Sequence, residues 1–181
     1  SFERKARFIF TAPAGTSHRE GVIAGVPVLH VTGRGVAPDG PMVLYVHGGA
    51  YTFGSARTHL GLAGAISARV GWPVCLVDYR LAPEHPFPAA IDDLRAVHAA
   101  LSERPGGLVV GGDSAGGGLV LALLGDILRR GAIPPRGVFA FSPVTDLAFE
   151  TESFRRNRDA DVLLPAARAK EMNDLYLGTA D

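Results

Sequence analysis

Short apolar runs alternate with amphipathic stretches along most of this chain. Four runs are apolar at successive positions, which is typical of strands buried on both faces of a parallel sheet. They are MVLYV (42–46), VCLV (74–77), LVVGG (108–112) and VFAFS (138–142). The segment VIAGVPVLHVT (22–32) has the pattern of an antiparallel strand or hairpin, and we place it at the edge of the sheet.

Helical patterns lie between the apolar runs. Residues 58–70, 88–101 and 115–130 carry apolar side chains at helical spacing, and residues 160–177 also have a helical pattern. Strands that alternate with helices predict an α/β fold, in which a mostly parallel sheet is flanked by helices. The stretches between these elements are short enough to be loops, so we expect a single domain over residues 1–181.

Composition limits the classes of binding partner and the cellular compartment that we expect. Apolar residues make up 47% of the 181, and 18 basic residues balance 18 acidic ones. A chain without net charge offers no basic field for nucleic acid, and no apolar run reaches the ~20 residues of a membrane-spanning helix. The single cysteine, Cys75, excludes an internal disulfide and is interpreted as a small buried hydrophobe. One cysteine and a charged N-terminus favour a cytoplasmic location.

A glycine-rich stretch, GGDSAGG (111–117), joins the third apolar run to a helical pattern. Residues 112–116 match G-x-S-x-G in a strand–turn–helix context, the pattern of a nucleophile elbow. The N–H groups that follow open a helix, whose positive end favours an oxyanion. We therefore predict Ser114 as a nucleophile. Glycine-rich turns of this kind also bind phosphate or allow close packing. The prediction of a nucleophile therefore depends on the strand–turn–helix context and not on the motif alone.

A second glycine-rich stretch, HGGAYTFGS (47–55), follows the first apolar run. It matches the HGGG-type motif that supplies further oxyanion-hole donors. Gly48 and Gly49 let the backbone approach a developing O⁻, and each aimed N–H can lower the barrier by ~3–4 kcal/mol. His47 is interpreted as a structural residue of this loop rather than a base.

These two motifs, with DYRLAPEHPFPAAIDD (78–93) between them, resemble the hormone-sensitive-lipase branch of the α/β-hydrolases. The resemblance covers roughly residues 22–178. It implies an α/β-hydrolase fold and a carboxylesterase that acts on short-chain acyl esters, a small-molecule substrate. The last strands of the family sheet have no counterpart in these 181 residues.

The resemblance also assigns the site. It implies one nucleophile and three backbone N–H donors for the oxyanion: Ser114, then Gly48, Gly49 and Ala115. The long motif is scaffold in this family, so Glu84 and His85 receive no catalytic role. No organic cofactor is implied, and no His, Asp, Glu or Cys cluster has the spacing of a metal site.

Residues 143–181 resemble the beginning of a helical cap. Five side chains are candidates for lining an acyl pocket beneath it: Leu163, Leu164, Leu175, Tyr176 and Leu177. Packing on the body of the domain is the alternative for each of them. Four acids are interpreted as cap-surface charges: Asp159, Asp161, Asp174 and Asp181.

The base and the acid of a catalytic triad are missing from the expected place. In α/β-hydrolases the order is Ser, then acid, then His, yet all six histidines precede Ser114. We expect the catalytic Asp and His beyond residue 181, in a longer protein. Within the chain, the weaker alternatives are Asp146, His85 and His98, and the resemblance makes Asp146 structural.

Three explanations of the missing triad stay open at this point. The chain is part of a longer serine carboxylesterase, or a partner chain supplies the acid and the base, or catalysis is lost. In the last case the fold is a catalytically silent module that binds a small molecule. The sequence leaves the oligomeric state open, including a homo-oligomer.

Overall fold

A six-stranded mixed sheet forms the centre of the computed structural model, which describes residues 11–160 and 166–178. In chain order its strands are β1 (Ser17–Ile23), β2 (Val26–Thr32), β3 (Met42–Val46), β4 (Val74–Val77), β5 (Leu108–Asp113) and β6 (Gly137–Phe141). Their spatial order is β1-β2-β4-β3-β5-β6. The β1–β2 and β2–β4 pairs are antiparallel, whereas β4, β3, β5 and β6 are parallel. The predicted α/β fold with a mostly parallel sheet is confirmed.

Helices connect and cover the strands. Within the described ranges they are α1 (Leu60–Val70), α2 (Ala89–Leu101), α3 (Ser114–Arg130), α4 (Glu152–Arg156) and α5 (Ala166–Leu177). The first three begin within two residues of the predicted starts and end where predicted. None of the helices formed by the described residues is long and apolar enough to cross a membrane.

The predicted strand bounds agree with the structure for the apolar strands and miss the polar strand β1. β3 and β4 have the predicted bounds, and β6 lies one residue earlier than predicted. The segment 22–32 is part of a hairpin that begins earlier, at Ser17, because β1 is an exposed edge strand without a run of apolar residues. Ala24 and Gly25 connect the two strands with φ of +49° and +84°, the left-handed conformations that a tight two-residue hairpin turn requires.

The segment after β6 differs from its prediction. The single helix expected over 160–177 begins at Ala166, and a short helix, α4, precedes it. Thr151 caps α4 by accepting a hydrogen bond from Phe154 N at 3.3 Å, a local signal that hydrophobic periodicity does not contain. Residues 161–165 lie outside the described residues.

The core lies on both faces of the sheet. All residues of β3 and β4 are buried, as in a parallel sheet with helices on each side. α1 packs against β2 and β4, and α3 packs against β5 and β6. This arrangement brings the carboxyl ends of β3 and β5 side by side, with Val46 paired to Gly112, so the two glycine-rich motifs meet there.

Cys75 is expected to resist alkylation in the folded protein. It is fully buried in β4, and burial raises the pKa of its thiol to about 12, so almost no thiolate is present at pH 8. We expect iodoacetamide to leave it unmodified in buffer and to label it fully in urea, as read by intact mass. Rapid labelling in buffer would contradict the burial of this strand.

Candidate active site

Ser114 lies at the sharp junction of β5 and α3. Its φ is +53°, a left-handed conformation that costs a non-glycine residue of order 1–3 kcal/mol and is typical of functional sites. A Cβ on Gly112 would lie 2.7 Å from the Val46 carbonyl oxygen, and one on Gly116 would overlap the carbonyl oxygens of Val46 and His47. The strand–turn–helix geometry predicted from G-x-S-x-G is therefore present, and its glycines are sterically required.

The neighbouring Asp113 anchors three segments of the chain. Its carboxylate accepts hydrogen bonds from Tyr45 Oη at 3.0 Å and from Gly48 N at 3.1 Å. His59 Nε2 lies 3.3 Å from the same Asp113 oxygen. Burial alone would raise the pKa of Asp113, but the hydrogen bonds from His59, Tyr45 and Gly48 lower it overall. The group is therefore a carboxylate at neutral pH.

Gly48 and Gly49, both predicted as oxyanion donors, lie beside this network. The Gly48 N–H is directed to Asp113, and a Cβ on Gly48 would overlap that carboxylate. Gly49 has a φ of +131°, and a Cβ there would overlap the Phe53 carbonyl oxygen. Ala115 is buried in the first turn of α3, where N–H groups have no acceptor within the helix.

The loop that follows Gly49 is held in an unusual conformation by an aromatic stack. Ala50 and Tyr51 both have positive φ, +48° and +63°. The Tyr51 ring stacks on the Tyr176 ring of α5, with centroids 3.9 Å apart and planes at 15°. The Tyr51 backbone carbonyl accepts a hydrogen bond from Ala82 N at 3.0 Å. α5 therefore packs directly on the loop that carries Gly48 and Gly49.

The long motif 78–93 supports the same loop. Tyr79 stacks on His47 at 4.3 Å and donates its hydroxyl to the His47 carbonyl at 2.8 Å. The Arg80 guanidinium binds the Asp93 carboxylate, with Nη2 to Oδ1 at 2.7 Å. These contacts fit the scaffold role expected of the motif, and His85 is exposed beside them.

Two histidines lie near the elbow, and ring nitrogens of both already have polar partners. His47 is fully buried, its Nδ1 lies 2.8 Å from the Gly48 carbonyl oxygen, and burial lowers its pKa to about 4. His59 Nδ1 lies 2.9 Å from Thr58 Oγ1, while Nε2 faces Asp113. Within residues 11–160 and 166–178, no hydrogen bond joins the Ser114 hydroxyl to a histidine.

The other acids considered from the sequence have local structural roles. The Asp146 carboxylate accepts from Ala148 N at 2.9 Å and from Glu150 N at 3.3 Å, which closes a turn. Two of the expected surface charges form exposed ion pairs, Asp159 with Arg158 and Asp174 with Lys170. Asp161 and Asp181 lie outside the described residues. His98, the remaining alternative base, is buried in α2.

The predicted pocket-lining side chains divide into three groups. Tyr176 is buried against Tyr51, and Leu177 packs against the core. Leu175 is 39% exposed. Leu163 and Leu164 lie outside the described residues. Packing on the body, the alternative weighed for each, holds for Tyr176 and Leu177.

Sequence reasoning missed Asp113, Tyr45 and His59. Asp113 had a signal, since it is the polar residue beside Ser114 in the elbow. Tyr45 had a weaker one, as the hydroxyl-bearing member of an apolar run. His59 had none, because its contact with Asp113 joins residues far apart in the chain. No group of three or more potential metal ligands occurs in the described part of the chain.

Comparison with known proteins decides the family. A sequence profile of the α/β hydrolase fold matches residues 43–181. The chain belongs to the α/β-hydrolase family. This α/β-hydrolase is 38% identical over 162 residues to an acetyl-hydrolase of Streptomyces hygroscopicus, which covers 86% of this chain and 54% of that protein. It is 36% identical over 175 residues to the esterase LipU of Mycobacterium tuberculosis, covering 93% of this chain and 58% of that protein.

Solved structures agree. An esterase from the bacterial hormone-sensitive lipase family is 33% identical, with a TM-score of 0.90, over 99% of this α/β-hydrolase and 61% of that chain. The hormone-sensitive-lipase homologue EstE7 from a metagenome library is 34% identical, with a TM-score of 0.88, over 99% and 62%. The resemblance to the hormone-sensitive-lipase branch is confirmed. The α/β-hydrolase chain spans little more than half the length of the curated relatives it matches.

Proposed function

We propose that this chain carries the nucleophile and the oxyanion hole of a serine carboxylesterase. The observation that carries the proposal is the position of Ser114, strained at φ +53° between β5 and α3 with glycines that clear the backbone around it. Relatives named acetyl-hydrolase and esterase support ester cleavage as the reaction.

In the proposed reaction, the Ser114 oxygen attacks the acyl carbon while a base takes its proton. The carbonyl oxygen becomes an oxyanion, which accepts hydrogen bonds from the N–H groups of Gly49 and Ala115. The Gly48 N–H joins them only when it exchanges its bond to Asp113. The alcohol leaves with a proton returned by the base, and water then hydrolyses the acyl-enzyme.

The proposal assigns the base and its orienting carboxylate to a His and an Asp outside these 181 residues. It is supported by the histidines inside them, all of which precede Ser114. The buried His47 is held at the Gly48 carbonyl, and both ring nitrogens of His59 already have partners.

The substrate assignment is to short-chain acyl esters, in line with the acetyl-hydrolase among the relatives. We further propose that residues 143–181 begin a cap, because α5 packs through Tyr176 onto the loop that carries Gly49. The proposed enzyme needs no organic cofactor, and we place it in the cytoplasm.

The proposal is tested by covalent labelling and turnover with matched serine variants. The protein containing this chain is incubated with an activated phosphonate ester, and p-nitrophenyl acetate hydrolysis is followed. We expect an adduct on Ser114, and Ser114→Ala should lower kcat/KM at least ~10³-fold. Ser142→Ala is the control, since Ser142 is also a serine with positive φ, +45°, but it is exposed and lies after β6.

Each outcome separates the parts of the proposal. An adduct on Ser142, or equal loss in both variants, would remove Ser114 as the nucleophile. Labelling of the isolated 181 residues would keep Ser114 but contradict a base outside them. Saturable ligand binding without any adduct in the longest natural form of the protein would favour the silent binding module. A p-nitrophenyl laurate rate above the acetate rate would overturn the short-chain assignment.

A further inference from the structure

A cavity lies near the amino ends of the parallel strands, at the opposite end of the sheet from Ser114. Its volume is about 390 Å³, within the range of small-molecule sites. Met42, the first residue of β3, and Arg104, in the loop before β5, line it, whereas Ser114 follows the last residue of β5. The β1–β2 hairpin and the loop residues Pro38 and Asp39 form the remaining wall.

The hairpin places polar and basic groups on one face of this cavity. Arg19 lies directly opposite His30, and Ser17 directly opposite Thr32. Since alternate residues of a strand share a face, these four residues lie on the same side of the hairpin. A Cβ on Gly21 would lie 3.1 Å from His30 Nε2, so the glycine leaves space for the imidazole.

The second guanidinium is fixed in place. Arg104 Nε donates to the Gly40 carbonyl at 2.8 Å, and its Nη2 donates to the Pro38 carbonyl at 2.7 Å. These acceptors are neutral, so they orient the group without balancing its charge. Among the described residues, neither Arg104 nor Arg19 forms an ion pair.

Positive charge is therefore concentrated in this cavity, where the described residues provide no ion-paired carboxylate. Burial, Arg19 and Arg104 all lower the pKa of His30, because a charged imidazole would face both guanidinium groups. Like charges directly opposite each other destabilise a strand pair. Asp39 also lines the cavity, but within the described ranges it forms no ion pair with either arginine. The arrangement favours an external anion.

We propose that this cavity binds a phosphate group, either as the free ion or as the end of a small phosphorylated metabolite. Arg19 supplies a fork-shaped donor that matches phosphate oxygens, and Arg104 supplies the N–H groups that it does not use on the Gly40 and Pro38 carbonyls. Ser17 and Thr32 add hydroxyl donors, and His30 adds a third positive charge when the anion is bound. The cavity has room for an organic group attached to the phosphate.

The test follows the His30 imidazole by NMR during titration with inorganic phosphate, in parallel with calorimetry. We expect saturable binding with a Kd on the order of 1 mM. Because binding and protonation are linked, bound phosphate should raise the pKa of His30. Arg19→Gln should weaken binding about tenfold, the loss of roughly one charged hydrogen-bonding pair. Arg69→Gln removes the same charge from the exposed end of α1, outside the cavity, and should bind like the parent.

Two further probes decide the ligand. Acetate that binds as tightly as phosphate would overturn the phosphate assignment, and so would an unchanged His30 signal or equal weakening in both variants. Glycerol 3-phosphate that binds more tightly than inorganic phosphate would identify a metabolite end, and equal or weaker binding would identify the free ion. None of these readouts requires catalysis.

Discussion

Replacing Gly116 with alanine is expected to lower the free energy of unfolding by about 3 kcal/mol or more. A Cβ at this position would overlap the carbonyl oxygens of Val46 and His47. Val46 is the last residue of β3 and is paired in the sheet, and His47 follows it directly, so neither carbonyl can move aside without distorting the end of the strand. Urea unfolding followed by circular dichroism measures the change.

The same helix provides the control. Gly125 also lies in α3, is exposed, and has no atom near the position of a Cβ. Alanine there should raise the free energy of unfolding by about 0.5–1 kcal/mol, since it reduces the entropy lost on forming the helix. Equal effects of the two substitutions would mean that helix propensity, and not clearance at the elbow, explains the glycine at 116.

Lowering the pH from 7 to about 4.5 is expected to cost about 2.5 kcal/mol of stability through His47 alone. Its pKa is about 4 in the folded protein, against 6.5 for an ordinary histidine, because it is buried. Between these values the unfolded chain binds a proton that the folded chain does not. Stability from this group is therefore complete above pH 6.5 and is lost as the pH falls toward 4.

The pH effect is assigned by comparing two glutamine variants. His47→Gln should reduce the difference in unfolding free energy between pH 7 and pH 4.5, whatever its effect at neutral pH. His85→Gln, at an exposed position of the 78–93 loop, should leave that difference unchanged. The pKa values of His30 and His98 are also lowered, in both cases first by burial, and account for the acid sensitivity that remains. A drop of the same size in His47→Gln would contradict the assignment.

The sheet could be predicted from sequence because most of its strands are buried on both faces. β3 and β4 are apolar at nearly every position, so their bounds follow directly from composition. β1 is polar and lies at the edge, and its pairing with β2 is fixed by the turn at Ala24 and Gly25 rather than by hydrophobicity.

The candidate site also contains a part that could be predicted from sequence and a part that could not. The elbow at Ser114 was predictable because a sharp turn leaves no room for side chains at the adjacent positions, and the sequence has glycine there. The use of the Gly48 N–H was not, because its partner is a carboxylate 65 positions away. Hydrogen bonds between distant residues leave no periodic trace, so the Asp113 network required the folded structure.

The Asp113 network also has a consequence for the order of folding. Its bonds to Gly48 and Tyr45 span 65 and 68 positions of sequence, and closing loops of that length costs entropy before any contact repays it. These bonds can persist only after β3 and β5 have paired. A probe that reacts at Ser114 would therefore count only chains whose central sheet is complete, which makes this corner of the molecule a reporter of folding as well as a candidate site of chemistry.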